Sequence, residues 1–194
     1  MLYNLFRNNL IKEMGQRFPL DPSETKMKTL YLIGGPAGVG KTSICKVLNK
    51  TLENSVHLDG NWCWDMNPLQ ENDETTAMVM DNICHCLNNF IACSCFENIV
   101  FSWEMFRQHT IDSIVAWIDS DDLKIVPVSL ICDESVLRQR IWKDVYAGLR
   151  TPDAIEKSLA KVPLYNDIRT HKIDISKLSI DEVCKKIIEY GETI

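Results

Sequence analysis

One run of residues, Gly34-Gly35-Pro36-Ala37-Gly38-Val39-Gly40-Lys41-Thr42, holds the residue types needed to grip a chain of phosphates. Gly35, Gly40, Lys41 and Thr42 fit the pattern G-x-x-x-x-G-K-[ST]. Glycines let successive backbone N–H groups turn inward as a nest that opens onto a helix N-terminus. Ala37, Gly38, Val39 and Ser43 complete that cradle. Lys41 brings a point charge to the β- and γ-phosphates, and the Thr42 hydroxyl suits Mg²⁺. The competing reading is a glycine-rich turn that matches by chance. Against it stand the spacing, the Lys, the Thr and the flanking segments together. We expect the chain to bind a nucleoside triphosphate as its Mg²⁺ complex.

The motif works only between a strand and a helix, and both are legible. Thr29 to Ile33 is a short apolar run of buried-strand character, and Ser43 to Leu48 reads as a helix ending near Leu52. A second strand, Ser55 to Asp59, delivers Asp59 at its carboxyl end. There a carboxylate can take the proton of an acceptor hydroxyl, or hold Mg²⁺ through water. An Asp that merely caps a strand is the plainer alternative. Trp62 and Trp64, in a loop from Asn61 to Pro68, can wall an acceptor pocket or pack the loop on the core.

After a helix over about Thr75 to Ala92, with Met78, Ile83, Leu87, Phe90 and Ile91 apolar, comes a third strand, Asn98 to Ser102. It is followed by Glu104 and Arg107, each balanced between a site role and an ordinary surface charge, and by His109, which ranks below them as a candidate base. A helix over Gln108 to Ile118 and a nearly continuous apolar strand, Lys124 to Ile131, come next. Asp133 and Glu134 open a helix carrying Arg138, Arg140 and Lys143. Tyr146 to Arg150 then leads to a helix begun by Thr151-Pro152-Asp153 and running towards Val162. Arg138, Arg140, Lys143 and Arg150 form a basic cluster suited to a closing lid near residues 140–160, or to a plain basic surface. The chain ends with a strand, Lys172 to Ile175, and a helix for which Ser179 and Glu182 have capping-box spacing.

Strand and helix alternate through five strands, which predicts a three-layer α/β fold with its site at the carboxyl ends of a parallel sheet. At 194 residues there is room for one domain, 27–194, with a small lid. Residues 1–26 stand apart and receive no chemistry; Leu2, Leu5, Phe6 and Leu10 suit a short amphipathic helix before Pro19 and Pro22. The net charge is -6 and no long basic run occurs, so neither nucleic acid nor an anionic membrane is an expected partner. No signal peptide or membrane span is visible, and a cytoplasmic location is expected. The eight cysteines are expected as free thiols. Cys84 and Cys86 are about 200° apart around their helix, which argues against a zinc site with His85.

With these residues in hand, the chain from Lys28 to Tyr190 resembles the small P-loop kinases grouped with gluconate, shikimate, adenylyl-sulfate and chloramphenicol kinases. The resemblance rests on Gly35 to Thr42, on Leu58-Asp59-Gly60, on Val136-Leu137-Arg138-Gln139-Arg140, and on Ile173 to Ser179 with Glu182-Val183. It implies the sheet order 2-3-1-4-5 and a short helical lid. It also implies phosphate and Mg²⁺ handling by Lys41, Thr42 and Arg140, with Arg138 and Lys177 towards the nucleotide. Asp59 would be the acceptor-side carboxylate or a magnesium orienter, and Trp62, Trp64, Glu104, Arg107 and Arg150 would meet the acceptor. The departures are specific: Ser102 ends the third strand where many P-loop ATPases carry an aspartate, and no paired arginines mark a nucleoside monophosphate site. The expected activity is transfer of the γ-phosphoryl group to a hydroxyl or phosphate of a small molecule, by a monomer or homodimer. A nucleotide switch, a stand-alone NTPase, a strict nucleoside monophosphate kinase and a degenerate ATP-binding protein are the alternatives.

Overall fold

The structure, a computed structural model, describes residues 27–194 apart from 119 and 121. The amphipathic helix expected within residues 1–26 lies outside the described residues.

Five parallel strands make one sheet: β1 (Lys28–Gly34), β2 (Ser55–Asp59), β3 (Asn98–Ser102), β4 (Leu123–Ile131) and β5 (His171–Asp174). Their order is β2-β3-β1-β4-β5. β1 lies at the centre, paired to β3 through Leu30↔Ile99 and to β4 through Leu30↔Ile125. Side chains alternate across its two faces, and both faces are apolar. Tyr31 and Ile33 enter one core with Val100, Val126, Val128 and Leu130; Leu30 and Leu32 enter the other with Ile99 and Phe101.

Helices cover both faces. α1 (Lys41–Thr51), α4 (Glu134–Tyr146) and α6 (Ile180–Thr193) bring Ile44, Leu48, Leu137, Ile141, Val183 and Ile187 to the first core. α2 (Asp73–Ala92) and α3 (Gln108–Ala116) bring Val79, Ile83, Leu87, Ile111 and Ile114 to the second. The three-layer architecture and the strand order are those expected, because each crossover returns to a parallel strand through a helix packed on the sheet.

Some boundaries differ from expectation. α2 starts at Asp73, where Asn72 and Thr75 form a reciprocal capping box. Met78 is exposed; the buried stripe is Val79, Ile83, Leu87 and Ile91, spaced by four. α3 stops at Ala116, two residues short of Ile118. The helix expected to reach Val162 is shorter: α5 spans Ala154–Leu159, and a 3₁₀ segment, Val162–Asp167, follows with Pro163 in its first turn. Proline has no N–H to continue an α-helical ladder, so the chain changes pitch there. The Trp-rich loop opens as a 3₁₀ turn, Gly60–Trp64. The expected capping box at Ser179 and Glu182 is present.

Cys45, Cys84, Cys132 and Cys184 are buried free thiols, and burial pushes the Cys45 thiol up to about 12. No described helix is long and apolar enough to cross a membrane.

Candidate active site

The loop between β1 and α1 owes its shape to glycines at two contacts. Gly38 has φ +78, and a Cβ there would lie 2.4 Å from Ile141 Cγ1 on α4. Gly35 has φ +150, and its Cβ would meet the Leu130 carbonyl at 2.8 Å. Side chains are thus excluded by conformation and by space alike. The result is an open cradle capped by the N-terminus of α1, the geometry that phosphate oxygens occupy.

Lys41 is 8% exposed, and its Nζ donates to the carbonyls of Gly35 (2.7 Å) and Pro36 (3.1 Å). Burial lowers its pKa to about 8, opposed by the charges of Glu104 and Asp59. Thr42 Oγ1 donates to Asp59 Oδ2 at 3.0 Å, and the Asn61 N–H donates to Asp59 Oδ1 at 3.1 Å. Both oxygens of this buried carboxylate are therefore engaged beside the loop. Asp59 pairs in register with Ser102, the residue that ends β3 in place of an acid. His57 Nε2 lies 3.0 Å from Ser102 Oγ, and burial holds the imidazole pKa below its ordinary value.

The cradle forms one end of a cavity of about 430 Å³. Ala37 to Ile44, Asn61, Glu104, Arg140, Lys143, Asp144 and Arg150 line its polar part; Ile175, Leu178, Ile180 and Val183 give it an apolar slot. Arg140 Nη1 donates to the Val39 carbonyl at 2.6 Å, so α4 grips the loop directly. Arg150 pairs with Asp144 at 3.0 Å. From α5, the buried Ser158 hydroxyl donates to the Ala37 carbonyl at 2.7 Å.

A second, wider cavity of about 900 Å³ adjoins it, lined by Trp62, Trp64, Trp103, Phe106, Arg107, Lys161 and others. Asn61 and Glu104 line both. Lys161 Nζ reaches Glu104 Oε2 at 2.8 Å and fixes that carboxylate at the junction.

Most of the residues singled out from sequence converge here, and three stand elsewhere. Arg138 bonds Glu134 (3.0 Å) and Glu156 (2.9 Å) on the outer side of α4, outside the residues that line the cavity. It lies two residues from Arg140, and such neighbours point to different sides of a helix. Lys177 is exposed in its turn, and the adjacent Leu178 lines the cavity instead. The Asp174 carboxylate, accepting from Ser176 N and Oγ, shapes that turn. His109 is exposed on α3 and lines neither cavity.

Sequence reasoning passed over Asn61, Ser158 and Lys161. Ser158 reaches Ala37 across 121 positions and Lys161 reaches Glu104 across 57, so no local spacing announces either. Asn61 carried a faint signal, lying two residues beyond Asp59.

The glycine cradle, buried lysine and adjoining apolar slot fit a nucleoside triphosphate. Thr42 with Asp59 fits a hydrated Mg²⁺, which typically takes few protein ligands and keeps several waters. Comparison with known proteins agrees on the fold. No curated protein matches the sequence. Among solved structures, a gluconokinase from Sinorhizobium meliloti 1021 superposes with a TM-score of 0.63 at 17% identity, covering 87% of this chain and 94% of that one. The tunicamycin resistance protein of Deinococcus radiodurans gives 0.62 at 14% identity, covering 84% and 94%. Shikimate kinase from Acinetobacter baumannii, in complex with shikimate, gives 0.57 at 16% identity, covering 88% and 96%. The family described as AAA domain matches residues 32–158, from β1 through the loop and α4 to Ser158. The chain belongs to that AAA domain family and has the fold of the small P-loop kinases.

Proposed function

We propose that the protein is an ATP-dependent kinase that transfers the γ-phosphoryl group to a hydroxyl of a small molecule. One observation carries this reading: the phosphate cavity and a second cavity meet at Asn61 and Glu104. Hydrolysis by water needs only the first. A walled acceptor space opening at the phosphate end is what transfer to a second substrate requires.

The residues divide the work as follows. The loop N–H groups and Lys41 hold the triphosphate, and Arg140 adds positive charge from α4. The apolar slot of Ile175, Leu178, Ile180 and Val183 takes the nucleobase. Thr42 and Asp59 would hold Mg²⁺, directly and through water; the ion when bound offsets charge on the phosphate oxygens. Asp59 is thereby assigned to positioning, since both its oxygens already accept hydrogen bonds. Glu104 faces the acceptor.

In the reaction the acceptor oxygen bonds to the γ-phosphorus as the bond to the β,γ-bridging oxygen breaks. ADP departs with that electron pair, and the hydroxyl proton passes to Glu104. Lys41 and Arg140 stabilise charge on the transferring group, in a site whose donors are already in place. A phosphate acceptor fits less well, because Lys161 is committed to Glu104 and only Arg107 remains as a cation in the acceptor cavity.

Incubation with Mg-ATP and an acceptor panel, read by mass spectrometry for an added phosphoryl group, tests the proposal. A phosphorylated alcohol is expected. ADP release without any phosphorylated acceptor would refute it and indicate an NTPase.

A further inference from the structure

We infer that the acceptor is an alcohol of low net charge that presents a planar ring face and is larger than a single sugar unit. The inference rests on the kinase reading, and deepens it.

Size comes first. The acceptor cavity, at about 900 Å³, is roughly twice the donor cavity of about 430 Å³. Pockets of this size hold molecules of drug dimensions. A sugar acid or a small ring acid leaves most of that space to water.

The wall comes second. Trp62 and Trp64 come from the 3₁₀ turn after β2, and Trp103 and Phe106 come from the segment after β3. Trp103 is seated against Gly60, where a Cβ would lie 2.7 Å from its Cγ. Trp64 packs on the core beneath. Trp62 is 65% exposed, tilted against His57 at 6.3 Å between ring centres. An indole with its face open in a cleft is satisfied by another flat apolar surface, which hydroxyls and phosphates do not supply.

Charge comes third. Lys161 is held by Glu104 at 2.8 Å and sits 4.9 Å over the Phe106 ring. The Arg107 guanidinium lies 5.3 Å from the centre of that same ring. Lys161 is therefore spent on Glu104, Arg107 is left as the single uncommitted cation of the lining, and Asp65 and Glu71 stand on that lining to oppose an anion. Asn61, Thr76 and Thr110 remain as neutral hydrogen-bonding partners. A ring stacked on Trp62 with a hydroxyl at Asn61 and Glu104 satisfies all three conditions. Transfer then proceeds as described above, the hydroxyl proton passing to Glu104 and ADP leaving.

The test uses the full chain. Neutral nucleosides and aryl glycosides are compared with sugar acids and nucleoside monophosphates, by calorimetric binding in the presence of a non-hydrolysable ATP analogue and by phosphorylation with Mg-ATP. Neutral ring alcohols are expected to bind and to be phosphorylated. Trp62→Ala should raise their KM about tenfold with little change in kcat, and Trp62→Phe should recover most of that loss. Phosphorylation confined to sugar acids or monophosphates would overturn the inference and leave the kinase reading standing. Ring alcohols that bind but are never phosphorylated would support the acceptor class and overturn the kinase reading. Absence of both binding and product across the panel would overturn the inference.

Discussion

With Lys41 assigned to phosphate binding, nucleotide capture should depend on pH, and the size of the effect follows from its burial. The ammonium is almost wholly enclosed, and loss of hydration lowers its pKa from 10.5 to about 8 despite the nearby charges of Glu104 and Asp59. Only the protonated form attracts phosphate. Free protein at pH 7 therefore carries the charge almost completely, and at pH 9 only about one molecule in ten does. Affinity for Mg-ATP should fall as pH rises through 8, reaching a loss of about tenfold at pH 9. Bound phosphates favour the ammonium, so kcat at saturating ATP should stay level to higher pH than kcat/KM for ATP. Calorimetric titration with Mg-ATP from pH 6.5 to 9.5 measures this directly. Lys41→Arg supplies the control, because a guanidinium stays charged throughout and its profile should be flat. Constant affinity to pH 9.5 in the unaltered protein, or the same break retained in Lys41→Arg, would refute the assignment of that pH dependence to Lys41.

Two further substitutions separate the roles given to the carboxylates and to the α5 contact. Glu104→Gln should lower kcat about 100-fold with little change in KM for ATP, whereas Asp59→Asn should raise the Mg²⁺ concentration needed for half-maximal turnover; steady-state kinetics with varied Mg²⁺ reads both, and a reversal of the two effects would exchange the assignments. Ser158→Ala removes the donor to the Ala37 carbonyl inside the protein, which should cost about 1 kcal/mol and lower Tm by about 2–4 °C. Thermal denaturation checks the stability, and the KM for ATP should rise with it because the loop loses one of its fixed points.

The Gly35 to Thr42 stretch was legible because its information is local. Four spaced residues between an apolar strand and a helix specify a phosphate cradle with no knowledge of the rest of the chain. The sheet was legible for a related reason: strands with both faces apolar need helices on both sides, and alternation with helices leaves few arrangements open. Asp59 could be located at a strand end, but its partners could not, since Thr42 meets it only when β2 lies two strands from β1 with β3 between them.

The amino-acid sequence by itself thus determined the fold class, the phosphate loop and the residues at the strand ends. Tertiary structure alone decided which cations face the site. Arg138 and Arg140 are equivalent as charges in the sequence, yet helix geometry ties one to Glu134 and Glu156 and sets the other on the Val39 carbonyl. It also decided that Ser158 reaches the Ala37 carbonyl and Lys161 reaches Glu104, and that Trp62, Trp64, Trp103 and Phe106 share one cavity. The physical reason is common to all of these. Contacts between residues distant along the chain are fixed by how packed elements stack, and only the assembled layers bring them within reach of one another.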